Sequence, residues 1–195
     1  MQEIYLKDCY QKEFETEVLE VKDDKFIVLK ETLFYPNAGG QLNDTGTLEK
    51  DGEVYTVVYV GKFSGNISHE VDKPGLNPGD SVKGKLNWDR RYFFMRCHTA
   101  AHLLAGLIHN ETNAQITGNQ ISEDKIRIDF NLPDYDRDKI VSYVDECNKM
   151  IEKRMEVKTY FLSREDSLND PVLFRLNDYM PPELKDFRIV ELVGF

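Results

Sequence analysis

The sequence predicts an α+β protein, with a small all-β module at residues 1–88 and an α+β module at residues 89–195. Three observations support this class. Short apolar runs with a period of two alternate with turn residues throughout the first module. From residue 89 to about residue 109 the apolar side chains cluster, and no Gly or Pro occurs before Gly106. A further segment at about residues 136–155 again shows helical spacing.

The first module is read as a set of short strands. Phe14, Thr16 and Val18 alternate with charged residues, residues 26–29 form an apolar run, and residues 54–60 are rich in β-branched and aromatic side chains. The segments between them carry turn residues at 23–24, 36–40, 51–52, 73–75 and 77–79. Such spacing predicts a small barrel or sandwich.

The second module begins with a largely buried helix. A strand is expected at Ile126, Ile128 and Phe130, followed by a break at residues 131–134. The second helix has acidic residues early and basic residues late, which matches the helix dipole. Further strands are expected at 156–162 and 188–193, with mixed structure between them. We interpret the aspartates just before and at the start of the second helix, Asp134, Asp136 and Asp138, as capping and helix-start charges rather than a catalytic pair.

The composition excludes several classes of protein. The chain has 195 residues, of which 41% are hydrophobic, enough to build a core. Three cysteines are an odd and sparse set, which argues against a disulfide framework. No apolar run reaches the length of a membrane helix, and the N-terminus lacks the apolar region of a signal peptide. We therefore expect a cytoplasmic protein without a membrane partner.

The charge is unevenly distributed along the chain. With 25 basic and 35 acidic residues the formal net charge is −10, which alone argues against a nucleic-acid partner. Residues 81–96, however, hold five basic side chains against Asp89 alone. These candidates for phosphate contacts are Lys83, Lys85, Arg90, Arg91 and Arg96. On charge alone, a solvated helix start is an equally good interpretation.

Two histidines give the first candidate site. His98 and His102 lie four residues apart on the predicted helix, so their side chains share one face and can converge on one ion. A catalytic zinc normally has three protein ligands and an open position. The alternative is a pair of partly buried histidines on a packed helix.

The same region carries a resemblance to a known family. The run RRYFFMRCHTAAHLL at residues 90–104 closely resembles the helix of the alanyl-tRNA synthetase editing domain and of its free-standing AlaX-type relatives. The run FYPNAGGQLNDTG at residues 34–46 resembles the glycine-rich segment of that family. QITG at 115–118 and KIRIDF at 125–130 resemble the family's post-helix glutamine and following strand. The resemblance extends over nearly the whole chain.

This resemblance implies a fold, an activity and a cofactor. The fold would be an N-terminal β-barrel joined to an α+β editing domain that is shared with threonyl-tRNA synthetase. The activity would be hydrolysis of the ester of tRNA(Ala) wrongly charged with serine or glycine. The family holds zinc by two helix histidines, here His98 and His102, and by a later Cys-x-x-x-His motif. That motif should follow the strand at 188–193, but the sequence ends at Phe195, so the expected zinc site is incomplete.

The resemblance also assigns roles to other residues. The glycine-rich loop with Gly39 and Gly40 would lie near the amino-acid pocket, with Gln41 beside it. Thr99 and Gln115 would hydrogen-bond the substrate. On sequence alone, the two glycines are equally consistent with an ordinary hairpin turn. The Thr99 hydroxyl can also bond back to its own helix turn.

The resulting hypothesis is a zinc-associated trans-editing hydrolase that supports translation fidelity without ATP. Its catalytic residues would be His98, His102 and Gln115, and its partner would be mischarged tRNA(Ala). The main alternative is a non-catalytic tRNA-binding module with a degenerate metal site. A third possibility is a metal-dependent hydrolase of a small substrate on the same scaffold.

Overall fold

The chain folds into two compact units. The computed structural model describes residues 2–134, 136–170 and 185–195. The first unit comprises Met1–Arg96 together with Ile121–Asp124, and the second comprises Cys97–Gln120 and Lys125–Phe195. The division therefore falls inside the first helix, somewhat later than the predicted boundary at residue 88.

A closed, six-stranded antiparallel barrel forms the body of the first unit. In chain order the strands of this unit are β1 (Gln2–Glu3), β2 (Glu13–Lys22), β3 (Phe26–Leu29), β4 (Glu31–Thr32), β5 (Gly46–Lys50), β6 (Glu53–Phe63), β7 (Asn66–Val71) and β8 (Ser81–Leu86). The barrel order is β2-β3-β7-β6-β5-β8, and β8 closes the barrel by pairing with β2. The short strands β1 and β4 pair in parallel outside the barrel. The predicted α+β class with an N-terminal barrel is thus confirmed.

Alternating side chains fill the barrel. Along β2, Phe14, Thr16 and Val18 are buried while their neighbours are exposed, as the period-two pattern predicts. The largest fully buried apolar side chains of the interior include Tyr55, Phe34, Ile27, Leu29, Leu48 and Ile67. Burial of this apolar surface is the main favourable contribution to the stability of the barrel.

Close approach of two strands explains one glycine. Gly46 of β5 pairs with Leu86 of β8. A Cβ atom at Gly46 would lie 2.1 Å from the carbonyl oxygen of Lys85. Any side chain at this position would therefore force β5 and β8 apart.

The first helix, α1 (Trp88–Thr112), begins almost directly after β8. Asn87, the one residue between them, accepts a hydrogen bond at its side-chain oxygen from the Arg90 N–H (3.3 Å), as an N-cap does. Its own N–H donates to the Thr45 carbonyl (2.8 Å), which fixes the start of the helix on the barrel. The structure extends the predicted helix by a few residues at its C-terminal end.

The remaining elements pair in two small sheets. They are β9 (Ile116–Ile121), β10 (Ile126–Phe130), α2 (Arg137–Glu152), β11 (Val157–Ser163), α3 (Arg164–Leu168) and β12 (Asp186–Leu192). Strand β9 pairs with β10, and β11 pairs antiparallel with β12. The Asp136 carboxylate accepts from the N–H groups of Asp138 and Lys139, so its predicted role as a helix cap is confirmed. Mixed structure is expected between the last two predicted strands, and residues 171–184 of that segment lie outside the described residues.

A small core holds the second unit together. Ile108, one turn before the end of α1, and Ala114, just after the helix, pack with Tyr143 of α2. Leu104 and Ile140 pack against this cluster. The C-terminal part of α1 is therefore anchored against α2. Within the described ranges, no helix combines the length and apolar character that a membrane span requires.

Candidate functional site

The two histidines of α1 lie side by side. The ring centroids of His98 and His102 are 5.1 Å apart, and their planes differ by only 8°. This parallel arrangement follows from the four-residue spacing, which places the second side chain one turn above the first. The structure thus brings the predicted histidine pair together on one face.

Loss of hydration on the helix favours the uncharged form of both imidazoles. It lowers the pKa of His98 to about 4, and the neighbouring His102 lowers that pKa further by charge repulsion. Burial also lowers the pKa of His102. A neutral imidazole has an unprotonated ring nitrogen, which can bind a metal ion or accept a proton. The pair is therefore chemically ready for either role.

The donor set fits part of a zinc site. Two neutral imidazoles one helical turn apart are ligands that zinc prefers. Among residues 2–134, 136–170 and 185–195, no three His, Cys, Asp or Glu side chains cluster to hold an ion. Cys97 precedes His98 in sequence and is half-buried, in no disulfide. Zinc at His98 and His102 stays a prediction.

Two predicted substrate-binding residues lie in the same unit as the histidines. Thr99 follows His98 on α1 and is half-buried. Gln115 lies between α1 and β9, where its N–H donates to Asn131 Oδ1 (2.6 Å) and its carbonyl accepts from the Asn131 N–H (3.2 Å). These two bonds fix the backbone of Gln115, so its half-buried side chain starts from a defined position.

The glycine-rich loop contains a tight turn. Gly39 and Gly40 both have positive φ, at 59° and 76°. Ala38 and Gln41 flank them and exchange two backbone hydrogen bonds, of 3.2 and 3.0 Å. Two central residues with positive φ are typical of a type I′ turn, which strongly prefers glycine. Both interpretations of the glycines therefore hold: they form a hairpin-type turn, and that turn needs a conformation unfavourable for other residues.

The turn is attached to the end of β9. The Ile121 N–H donates to the Gly40 carbonyl (2.7 Å), and the Leu42 N–H donates to the Ile121 carbonyl (3.2 Å). Gln41 is buried and forms a bridge with Ile121. Within the first unit, the loop is thus held by one β-bridge and two backbone hydrogen bonds to Ile121.

Two arginines at the start of α1 fix the rest of this loop. Arg90 donates from Nε to the Asn43 carbonyl (2.9 Å) and pairs with Glu123. Arg91 donates from Nε to both carboxylate oxygens of Asp44, at 3.1 and 3.0 Å. The loop is therefore tied to α1 at two consecutive residues.

The ion pair of Arg91 and Asp44 is buried. The Arg91 side chain is 4% exposed and that of Asp44 is fully buried. The guanidinium also donates to the carbonyls of Leu33 (2.5 Å) and Cys9 (3.3 Å), while the Asp44 carboxylate accepts from the Tyr35 N–H (2.7 Å). This placement does not fit the expectation that Arg91 contacts tRNA phosphates, because its charge is enclosed and already paired. Arg91 is a structural residue of the loop.

The other predicted phosphate contacts lie at different places on the first unit. Arg90 is mostly covered, with its guanidinium 4.8 Å from the ring centroid of Phe94. Lys83 and Lys85 are exposed on β8, where both pair with Glu13, at 2.9 and 3.5 Å. Arg96 is exposed on α1. Of the five basic residues, Lys83, Lys85 and Arg96 are therefore accessible to a partner.

One buried polar residue, His69, lies in no sequence motif. His69 of β7 is fully buried in the barrel, where Nδ1–H donates to the Ile27 carbonyl (2.9 Å). Its Nε2 accepts from the Thr32 hydroxyl (2.8 Å), whose oxygen accepts from the Phe34 N–H. Burial lowers the pKa of His69 to about 4. The burial of His69 could have been predicted from the sequence, because His69 alternates in period two with the apolar residues Ile67 and Val71 along β7.

Comparison with known proteins identifies the family. Residues 3–90 match the model of class II (A) tRNA synthetases. The alanyl-tRNA editing protein AlaX-M of Methanosarcina barkeri is 48% identical over 98% of this chain and 82% of its own. That of Saccharolobus solfataricus is 41% identical over 99% of this chain and 82% of its own. The alanine–tRNA ligase of Ignicoccus hospitalis is 31% identical over 98% of this chain, which covers 21% of the ligase. The chain belongs to the AlaX family of alanyl-tRNA editing proteins.

Proposed function

We propose that this protein edits tRNA(Ala) by hydrolysing the ester that joins wrongly attached serine, or glycine, to the tRNA. The proposal rests on membership of the AlaX family and on one structural observation. That observation is the pair of neutral, parallel imidazoles at His98 and His102. His98 is half-buried and His102 is exposed at its surface, so the pair offers two nitrogen atoms to a reacting group or to a metal ion.

The reaction needs water as its only co-reactant. Water attacks the ester carbonyl, the ester C–O bond breaks, and the products are the free amino acid and the tRNA with its terminal ribose hydroxyl. Because the aminoacyl ester is already activated, the protein mainly has to position the substrate and stabilise the charge on the carbonyl oxygen. No ATP is consumed, and the reaction belongs in the cytoplasm, where tRNA is charged.

His98 and His102 would hold a zinc ion, together with ligands from outside the described residues. When bound, zinc polarises a carbonyl, lowers the pKa of a bound water or orients the substrate's amino group. Apart from the ion, the two imidazoles contribute ring nitrogens whose unprotonated form is favoured, because loss of hydration lowers the pKa of both histidines.

Selectivity would come from polar groups around the amino acid. A pocket built to hydrogen-bond a hydroxyl strongly disfavours an analogue that lacks it, so serine would be accepted and alanine rejected. We assign this recognition to Thr99 and Gln115, which lie in the same unit as the two histidines. Contacts to the tRNA phosphates are assigned to the exposed cations Lys83, Lys85 and Arg96.

The direct test is deacylation of Ser-tRNA(Ala) and of Ala-tRNA(Ala) by the intact protein. We expect hydrolysis of the first and little action on the second. Replacement of His102 by Ala should reduce the rate by about 100-fold or more. It should also reduce the zinc content measured by elemental analysis.

A matched control is His109→Gln. His109 lies on the same helix, but its Nδ1–H donates to the Ala114 carbonyl (2.9 Å), so its role is structural. The control should retain the rate and the zinc content. Equal rates on both substrates, or no rate above that in buffer, would contradict the proposal. Binding of tRNA without hydrolysis would favour the alternative of a non-catalytic tRNA-binding module.

A further inference from the structure

Three aromatic rings meet on the surface of the first unit, outside the histidine site. Trp88 and Tyr92, one turn apart at the start of α1, stack with centroids 5.7 Å apart and planes at 18°. Tyr10, from the segment before β2, approaches Trp88 at 6.1 Å with a tilt of 47°. Together, Tyr10, Trp88 and Tyr92 form what we call the aromatic platform.

The platform is open to solvent. Tyr10 is 60% exposed and Tyr92 is 43% exposed. Both tyrosine rings remain this accessible even though each packs against the Trp88 ring. Rings that serve only as core are buried, and exposed hydrophobic side chains are normally scattered singly. A contiguous patch of large rings at the surface instead marks a place where a flat partner can bind.

Two basic side chains accompany the platform, Lys12 by direct contact and Arg96 by its helical spacing. The ammonium group of Lys12 lies 4.7 Å from the centroid of the Trp88 ring. Trp88, Tyr92 and Arg96 follow one another at four-residue steps along α1, and Arg96 is exposed. Exposed flat rings accompanied by basic side chains match the chemistry of unpaired RNA, whose bases stack on aromatic faces and whose phosphates attract lysine and arginine.

We propose that the aromatic platform binds an unpaired nucleotide of the tRNA, with its base on the exposed ring of Tyr92 or Tyr10 and its phosphates near Lys12 and Arg96. This inference rests on the proposed function, which makes tRNA the substrate. It adds a base-stacking contact to the phosphate contacts assigned above. The ring of Trp88 supports the two tyrosines and links them in one continuous surface.

The test uses the intrinsic fluorescence of Trp88, the single tryptophan of the chain. The intact protein is titrated with a short single-stranded RNA and, separately, with a blunt-ended RNA duplex. We expect the single strand to quench the fluorescence and to bind more tightly than the duplex. Tyr92→Ala should weaken binding of the single strand by roughly 5- to 100-fold, the loss expected for one base–aromatic stack.

Two variants separate stacking from structure. Tyr92→Phe keeps the ring and should retain the affinity. Phe63→Ala removes another exposed aromatic ring, 56% exposed on β6, and should leave binding unchanged. Circular dichroism of Tyr92→Ala checks that the fold is intact.

The outcomes distinguish this inference from the proposed function. Wild-type affinity of Tyr92→Ala for single-stranded RNA would overturn the platform, even if Ser-tRNA(Ala) is hydrolysed. An equal loss of affinity for duplex and single strand would also overturn it, because the contact would then be to the backbone alone. Loss confined to the single strand would support the platform, even if deacylation fails.

Discussion

Replacement of Asp44 by Asn tests whether the buried ion pair holds the glycine-rich loop. The substitution nearly preserves shape but removes the negative charge that faces Arg91. It leaves a guanidinium that is 4% exposed without an anionic partner. It also weakens the acceptor of the Tyr35 N–H, which the carboxylate binds at 2.7 Å.

The expected cost is large for a single substitution. Breaking a buried ion pair by removing one partner costs about 3–5 kcal/mol, because the remaining charge stays buried and uncompensated. Whole domains are stable by only about 5–15 kcal/mol. For a chain of this size the melting temperature should fall by about 6–20 °C, at about 2–4 °C for each kcal/mol.

The assay is urea denaturation followed by the fluorescence of Trp88, which lies three residues before Arg91 on the same helix. Glu17→Gln is the matched control, because Glu17 pairs with Lys30 at 3.5 Å on the exterior of the same barrel, with both side chains about half exposed or more. An exposed pair of this kind contributes at most about 1 kcal/mol.

A double variant completes the cycle. In Asp44→Asn with Arg91→Met, both charges are gone, so the loss of stability should be clearly smaller than the sum of the two single losses. If Asp44→Asn costs no more than Glu17→Gln, or if the two losses simply add, the ion pair does not hold the loop and the reasoning is wrong.

Two further predictions follow from the first unit. Because burial lowers the pKa of His69 to about 4, the folded state resists a proton that the unfolded chain binds below about pH 6.5. The free energy of unfolding therefore decreases as the pH falls from about 6.5 to about 4, and His69 accounts for a loss of about 2 kcal/mol between pH 7 and pH 5. The variant His69→Gln should lack this part of the loss when urea denaturation is measured at pH 7 and at pH 5. An unchanged pH dependence in the variant would rule out His69 as its source. Arg96→Glu should weaken tRNA binding and flatten its salt dependence in filter-binding titrations. The control Lys22→Glu, at an exposed residue that ends β2, should change neither the affinity nor the salt dependence. Equal effects of both reversals would mean that only net charge matters.

The barrel and the first helix could be predicted because their signals are local. Alternation along β2 and the glycine and proline turns reveal strands, and the apolar cluster after Trp88 reveals a buried helix. Strand β9 was missed, because its sequence ITGNQI has apolar residues only at its two ends. Its strand conformation depends on pairing with β10, which no local pattern encodes.

The misplaced expectation for Arg91 has a different cause. A count of charges along the chain sees five cations between residues 81 and 96, but it does not see Asp44, which lies 47 residues earlier and becomes the partner only after folding. The histidine pair, by contrast, was predictable from spacing alone, because a helix fixes the relation of residues four apart. Site residues on one element are thus easier to predict than sites whose parts meet across the chain.

The closure of the barrel by β8 has a consequence for synthesis of the protein. Strand β2 completes its pairing only through β8, and the contact of Glu13 with Lys85 joins residues 72 positions apart in the chain. On the ribosome, β2 therefore waits with an unpaired edge until β8 has left the exit tunnel, and such edges are prone to pair with other chains. Because α1 follows after a single residue, the helix that carries His98 and His102 emerges just as the barrel becomes able to close. Conditions that slow translation of β8 should therefore prolong the exposure of the unpaired edge of β2 and increase aggregation of the nascent chain.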